Sequence, residues 1–147
     1  MLIERARLLL ATLWVGSLWT IGYLAAPTLF ATLYDRALAG TVAGSLFRTG
    51  AWASVACALL LLGLNAWQKR GTEARTENRL VLAMLACTVI GYFCLQPFMA
   101  ALRESAGPGG VMAPDAHTKF GILHGASMLI YLVESLLGGA LILKLKR

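Results

Sequence analysis

Four long stretches without charged residues constrain this chain more than any other feature of its sequence. Residues 8–34, 49–68 and 80–102 hold no Asp, Glu, Lys or Arg, and residues 120–143 hold only Glu134. A helix needs about 20 apolar residues to cross the hydrocarbon core of a bilayer. Charged residues make up 14% of the chain, whereas soluble domains usually carry about 25%. The sequence therefore predicts a membrane protein and excludes a soluble enzyme domain, a nucleic-acid-binding protein and a disordered chain.

These stretches predict an all-α fold, an integral membrane four-helix bundle formed by one transmembrane domain of residues 1–147. Proline lacks a backbone N–H and its ring clashes with the preceding turn, so we expect a proline break after helix 1, where Pro27 interrupts or kinks the helix before a short helical extension at about 28–34. Clusters of glycine, proline and charged residues mark the connections between spans. We expect spans at about 3–26, 44–67, 80–102 and 117–143, a cytoplasmic loop at 68–79 and an outer loop at 103–116.

The distribution of the 13 basic residues predicts the orientation in the membrane. Cytoplasmic segments of membrane proteins carry an excess of Lys and Arg. The predicted side with both termini holds nine of the 13, namely Arg5, Arg7, Lys69, Arg70, Arg75, Arg79, Lys144, Lys146 and Arg147. We therefore expect an N-in/C-in topology in a multi-pass protein of the bacterial inner membrane. The net charge of +6 is then a topology signal and does not indicate a nucleic-acid partner.

A polar stripe in the last span is the sharpest candidate for function. His124, Ser127, Tyr131 and Glu134 are spaced by three and four residues, which places them on one helix face. A carboxylate at the centre of a spanning helix costs about 2.5–3.5 kcal/mol. We therefore expect Glu134 to face the bundle interior, protonated or hydrogen-bonded rather than salt-bridged. The candidate partners are the hydroxyl and amide groups of Ser17, Thr20, Asn65, Tyr131 and Ser135.

Two interpretations of the stripe stay open. It is either a set of polar contacts that hold helices together, or a pathway for a solute or a proton. We predict no catalytic residue in the stripe or elsewhere in the chain.

The outer ends of the predicted spans form a second candidate region. Asp35, Arg48, His117 and His124 are expected near one level there and could bind a ligand at the outer face. Arg48 either extends to the membrane interface or faces the bundle and attracts an anion. His117 and His124 form a weak candidate metal pair, but haem or copper would need further ligands. We therefore predict no cofactor and keep haem or copper as an alternative.

Small residues and prolines indicate how the helices pack. Gly40 and Gly44 have the spacing that lets helix backbones approach closely in lipid, and this favours a homo-oligomer. Pro97 is a second structural proline. The sequence Ile-Gly-Tyr occurs at 21–23, before the first of these prolines, and again at 90–92, before the second. This similarity suggests two parallel repeats of two helices each.

Several runs of the sequence resemble a known family. They are Trp-Val-Gly at 14–16, Ala-Ala-Pro-Thr-Leu-Phe at 25–30, the glycine-rich run at 39–47 and Phe-Gly-Ile-Leu-His-Gly-Ala-Ser at 120–127. Together they resemble small bacterial membrane proteins related to human transmembrane protein 205, a family of unknown function. The resemblance implies a four-helix membrane fold, and the association of the human member with platinum-drug resistance suggests transport or trafficking.

Copper-resistance D proteins and the membrane-type protoporphyrinogen oxidase are similar at a greater distance. That resemblance implies haem bound by histidines on early helices. Both histidines of this chain lie in the last predicted span instead.

The leading prediction is a small membrane protein, not an enzyme, that handles a solute, an ion or a metal in transport or resistance. Its partners would be the lipid bilayer, further copies of the chain, and a small solute or ion, with no nucleic acid. The first alternative is a haem- or copper-binding membrane redox protein. The second is a non-catalytic membrane assembly factor.

Overall fold

The chain folds into four long helices. The structure is a computed structural model that describes residues 2–68, 72–106 and 111–145, and no strand occurs within these ranges. All four helices are long and apolar enough to cross a membrane, which confirms the predicted all-α four-helix fold. The first span comprises α1 (Leu2–Trp19), π1 (Thr20–Ala25) and α2 (Ala26–Thr32), the second is α3 (Arg36–Trp67), the third comprises α4 (Thr72–Thr88), π2 (Val89–Cys94) and α5 (Leu95–Glu104), and the fourth is α6 (Pro114–Leu145).

The second span begins earlier than the sequence pattern predicts. Asp35 has an extended backbone, and its carboxylate accepts hydrogen bonds from the N–H groups of Ala37 at 2.9 Å and Leu38 at 3.1 Å. A side chain in this position satisfies N–H groups that have no partner within the helix. The helix therefore starts at Arg36, whereas we expected it at about residue 44.

Both predicted loops are shorter in the structure. Within the predicted loop at 68–79, the helix resumes at Thr72. Within the predicted loop at 103–116, α5 continues to Glu104 and α6 begins at Pro114. Some residues of the predicted loops and of the basic cytoplasmic side lie outside the described ranges, namely Lys69, Arg70, Gly71, residues 107–110, Lys146 and Arg147.

The four spans pack around a square in chain order. Each span contacts the one before and the one after it, and the fourth packs against both the third and the first. Both described chain ends therefore lie at the same end of the bundle. The core holds Ala11, Trp14, Val15, Leu18, Cys57, Ala58, Leu61, Val81, Met84 and Leu141. Many large apolar side chains outside this core are exposed, as expected for helices whose outer faces contact lipid.

The first span is interrupted just before Pro27, as expected, and continues beyond it as the short helix α2. The whole span covers Leu2–Thr32, and the turn before the proline widens into π1. Ala26 N–H donates to the carbonyl of Ile21, five residues earlier instead of four. Proline in a helix removes a donor and crowds the carbonyl of the preceding turn, and a wider turn relieves this crowding. The same kind of segment, π2, precedes Pro97.

The two Ile-Gly-Tyr motifs adopt the same conformation. Residues 21–23 lie within π1 and residues 90–92 lie within π2. Both motifs contact the fourth span: a Cβ atom on Gly22 would collide with the Tyr131 ring, and one on Gly91 would lie 3.3 Å from Ile130 Cγ2. The first and third spans therefore share a local architecture as well as a sequence motif.

The two ends of the bundle differ in how tightly they pack. We call the end with Arg7 and Glu77 the terminal end, and the end with α2 and α5 the far end. The core cluster lies between the terminal end and the π segments. At the far end α2 packs on α3 and α5 packs on α6, and these two pairs have no extended contact within the described residues. The bundle is closed at the terminal end and divides into two hairpins at the far end.

Gly40 and Gly44 do not bring spans together within the chain. A Cβ atom on either glycine would meet nothing within 4 Å. Gly138 instead brings the fourth span close to the first, because a Cβ atom on Gly138 would lie 2.8 Å from Val15 Cγ2. The expected contact of Gly40 and Gly44 with another copy of the chain stays a prediction.

Candidate functional site

Glu134 is a buried carboxylate in the middle of the fourth span. Its residue is 3% exposed. It lies ten residues before Lys144, or about 15 Å along the axis at 1.5 Å per residue, which is half of a hydrocarbon core of about 30 Å. Gly138 and Leu141 follow it on the same buried face of α6. The sequence therefore predicted the placement of this carboxylate in the bundle interior.

The partner of Glu134 is Thr88, at the end of α4. Its hydroxyl lies 2.7 Å from Glu134 Oε1 and 3.2 Å from the carbonyl of Met84. Thr88 is itself buried. In the described part of the chain, Glu134 has no salt bridge. The sequence offered one usable signal for this contact, because Thr88 is the only Ser or Thr between residues 80 and 102.

Three of the partners expected for Glu134 bond elsewhere, and a fourth, Thr20, is exposed. Ser17 donates to the carbonyl of Trp14 at 2.8 Å, and the Asn65 amide donates to Asn78 Oδ1 at 2.6 Å. Ser135 accepts a hydrogen bond from the Tyr23 hydroxyl at 3.0 Å. These predictions were wrong because each of these groups bonds another partner, a backbone carbonyl for Ser17 and a side chain for Asn65 and Ser135.

Tyr131 connects the fourth span to the first instead of extending the polar stripe. Its hydroxyl donates to the carbonyl of Leu18 at 2.6 Å, at the point where α1 gives way to π1. Its ring makes edge contacts with Tyr23, at a centroid distance of 6.2 Å, and with Phe47, at 5.5 Å. We call Tyr23, Phe47 and Tyr131 the aromatic layer. It lies one helical turn from Glu134, on the side of the far end.

The rest of the predicted stripe becomes more exposed toward the far end. Ser127 is half-buried and His124 is exposed. The His124 ring stacks on Phe120 at a centroid distance of 5.9 Å, and the Arg103 guanidinium lies 5.6 Å from the centre of the same ring. The stripe therefore leads from an exposed histidine to a buried carboxylate, without a continuous chain of hydrogen bonds between side chains.

Two of the outer-face candidates, Asp35 and Arg48, lie at different levels of the second span. Asp35 caps α3, and Arg48 lies 13 residues further along, about 20 Å away at the helical rise. Arg48 is exposed and acts electrostatically on Tyr92 of the third span. Our expectation that Asp35 and Arg48 share a level was wrong, because α3 begins at residue 36 and carries Arg48 more than three turns inward.

The two histidines are exposed and lie two turns apart on α6. His117 is in the first turn, and His124 is seven residues later. Among the described residues, no three His, Cys, Asp or Glu side chains are grouped so that they could hold a metal ion. A metal site at His117 and His124 therefore stays a prediction, and the described residues offer no group of three such side chains to complete it.

A second polar cluster lies at the terminal end, and the sequence did not predict it. Arg7 and Glu77 form an ion pair with side chains only 2% and 5% exposed. Arg7 Nη1 also donates to Gln68 Oε1 at 3.3 Å. We had placed Arg7 on the cytoplasmic surface with the other basic residues. It instead faces inward and ties the first span to the second and third.

The comparisons with known proteins identify a family but no relative of known function. A family model described as a domain of unknown function, DUF4149, matches residues 9–108. A search of curated proteins and a search of solved structures found no match. The match includes Thr88 and both π segments, whereas Glu134 lies beyond its end. The resemblance to the human transmembrane protein and to copper-resistance proteins stays a prediction. Because the model covers more than half of the chain, the protein belongs to the DUF4149 family.

Proposed function

We propose that this membrane protein moves a small polar solute or ion across the bilayer, and that Glu134 and Thr88 form its central binding site. The observation that carries the proposal is a buried carboxylate without a basic partner in the described part of the chain, on a helix long and apolar enough to cross a membrane. Such a group is expensive in lipid, and ionisable residues within spanning helices usually mark substrate or proton pathways. A contact between helices alone would need only a hydroxyl or an amide.

The shape of the bundle supports access from one side. At the far end the two hairpins separate above the aromatic layer, and His124 and Ser127 lie along the route toward Glu134. At the terminal end the apolar core and the Arg7–Glu77 pair close the bundle. A solute that enters from the far end would reach Glu134 when Tyr131 moves aside. Passage to the other side would require the terminal end to open, as in alternating access.

The cellular setting belongs to the same proposal. The bias of basic residues supports a terminal end on the cytoplasmic side, and the setting we propose is the bacterial inner membrane. Glycines at 40 and 44 face open space, where a second copy could pack and form a homo-oligomer.

The test is flux through purified protein in liposomes. Gradients of protons, sodium, potassium and glycerol are imposed in turn, and flux is compared with protein-free liposomes. We expect at least one gradient to drive flux that Glu134→Gln abolishes. Glu104→Gln makes the same chemical change at an exposed residue and should leave the flux unchanged.

Two results would contradict the proposal. One is an absence of flux above protein-free liposomes for every gradient, which would favour an assembly factor. The other is equal flux in Glu134→Gln and the unchanged protein, which would remove the assigned site. The melting temperature of each variant in detergent shows that a loss of flux does not reflect unfolding.

A further inference from the structure

The hydrogen bonds around Glu134 indicate which species this site handles. The Thr88 hydroxyl has one hydrogen but two acceptors within reach, Glu134 Oε1 at 2.7 Å and the Met84 carbonyl at 3.2 Å. When Glu134 is ionised, Thr88 can donate to the carboxylate. When Glu134 is protonated, its O–H can donate to Thr88, and Thr88 can donate to the carbonyl of Met84. Each protonation state of Glu134 can therefore keep one hydrogen bond with Thr88 without movement of the backbone.

Calcium or magnesium would find few side-chain oxygen ligands at this site. Hard cations such as calcium and magnesium take six or more oxygen ligands. Near Glu134, the Tyr131 hydroxyl is bonded to the carbonyl of Leu18, and the Ser135 hydroxyl accepts from Tyr23. Among these described side chains, the Glu134 carboxylate and the Thr88 hydroxyl remain. This arrangement suits a proton, which needs one acceptor and one hydrogen-bond partner.

We propose that the transported or coupling species is the proton, that Glu134 carries it, and that the Thr88 hydroxyl reorients between the two states. This inference rests on the proposed function. In the release step, the Glu134 carboxylic acid gives its proton to a water molecule, which leaves a carboxylate and a hydronium ion. The electron pair of the broken O–H bond stays on the carboxylate, and the Thr88 O–H turns toward it. Uptake is the reverse reaction.

The other titratable groups near Glu134 are neutral side chains. Cys87 of the third span and Tyr131 of the fourth interact with it electrostatically. From the first span, Tyr23 reaches Ser135 beside it, and from the second span, Cys57 is buried in the neighbouring core. In the described part of the chain, no Lys, Arg or His pairs with Glu134. Glu134 is therefore the group that we expect to exchange the proton.

The test combines proton flux with infrared spectroscopy on matched variants. Thr88→Val removes the hydroxyl and keeps the shape, whereas Thr88→Ser keeps the hydroxyl. Proton flux is followed with a pH-sensitive dye inside liposomes, and sodium flux with a radioactive tracer. We expect Thr88→Val to lower proton flux by about tenfold, the order of effect of one hydrogen bond to a charged group. Thr88→Ser should retain it, and sodium flux should be absent in every variant.

Infrared difference spectra give a reading that does not depend on transport. The unchanged protein should show a carboxylic-acid band that disappears in Glu134→Gln, shifts in Thr88→Val and stays in place in Thr88→Ser. Sodium flux that requires Glu134, without proton flux, would overturn this inference and leave the proposed function standing. Flux and spectra that are unchanged in Thr88→Val would overturn the role of Thr88. Flux that is unaffected by Glu134→Gln would overturn the proposed function itself.

Discussion

Removal of Glu77 tests whether the terminal end is held closed by its buried ion pair. Arg7 and Glu77 are 2% and 5% exposed, so water replaces little of the interaction when one partner is lost. Arg7 would keep only the bond to Gln68 at 3.3 Å, and its Nε already has no partner in the described structure. Breaking a buried pair on one side typically costs about 3–5 kcal/mol, because it leaves an uncompensated charge. We expect Glu77→Leu to destabilise the protein by this amount.

The assay is a double-mutant cycle on the melting temperature and the free energy of unfolding in detergent micelles. On the scale of soluble proteins of this size, about 3–5 kcal/mol lowers the melting temperature by roughly 6–20 °C. The double variant Arg7→Met/Glu77→Leu should be more stable than Glu77→Leu alone, because it removes the charge that would be left unpaired. Arg79→Met changes an exposed basic residue of the same span and should shift stability by no more than about 0.5 kcal/mol.

Two outcomes would refute this reasoning. The first is a Glu77→Leu variant within about 1 kcal/mol of the unchanged protein, which is the range of exposed ion pairs. The second is a double variant no more stable than Glu77→Leu alone, since the cost would then not come from the unpaired charge on Arg7.

Two further predictions concern the helix contacts. Gly22→Ala places a methyl group against the Tyr131 ring, and the bond from the Tyr131 hydroxyl to Leu18 holds that ring in place. We expect overpacking to lower the free energy of unfolding by about 1–3 kcal/mol, measured by unfolding in detergent. Gly16→Ala, where a Cβ meets nothing, is the control, and equal losses in both would contradict the steric explanation. Asp35→Ala removes the cap of α3, so it should lower the free energy of unfolding by about 1 kcal/mol and speed hydrogen exchange at residues 37–38. Asp35→Asn should retain most of the stability. Unchanged exchange in the alanine variant would argue against capping.

The sequence predicted the helical architecture because the bilayer leaves a chain few choices. Backbone groups in lipid must be satisfied within a helix or a closed barrel, so four apolar stretches of sufficient length are enough to predict four spanning helices. The burial of Glu134 follows from the same argument, since a carboxylate at that depth must face the interior. The start of the second span at Arg36 was missed, because the strength of the Asp35 cap depends on local geometry.

The partners of the polar groups depend on how each helix is rotated. The π segments show why this rotation could not be predicted from the sequence. Each π turn holds one residue more than the α-helical register, so the residues beyond it turn by about 100° relative to an uninterrupted α-helix. Tyr23 lies within π1, where the register changes, and donates to Ser135. A pattern drawn on regular helices did not pair these two groups.

The sequence by itself determined that this is a four-helix membrane protein with a buried carboxylate in its last span, because hydrophobicity and charge fix what can enter a bilayer. Only the tertiary structure decided that Thr88 binds Glu134 and that Arg7 meets Glu77 inside the bundle. It also decided that the far end separates into two hairpins. The physical reason is that hydrophobicity acts on each residue alone, whereas hydrogen bonds and ion pairs require two groups from different helices to meet at one depth and one rotation.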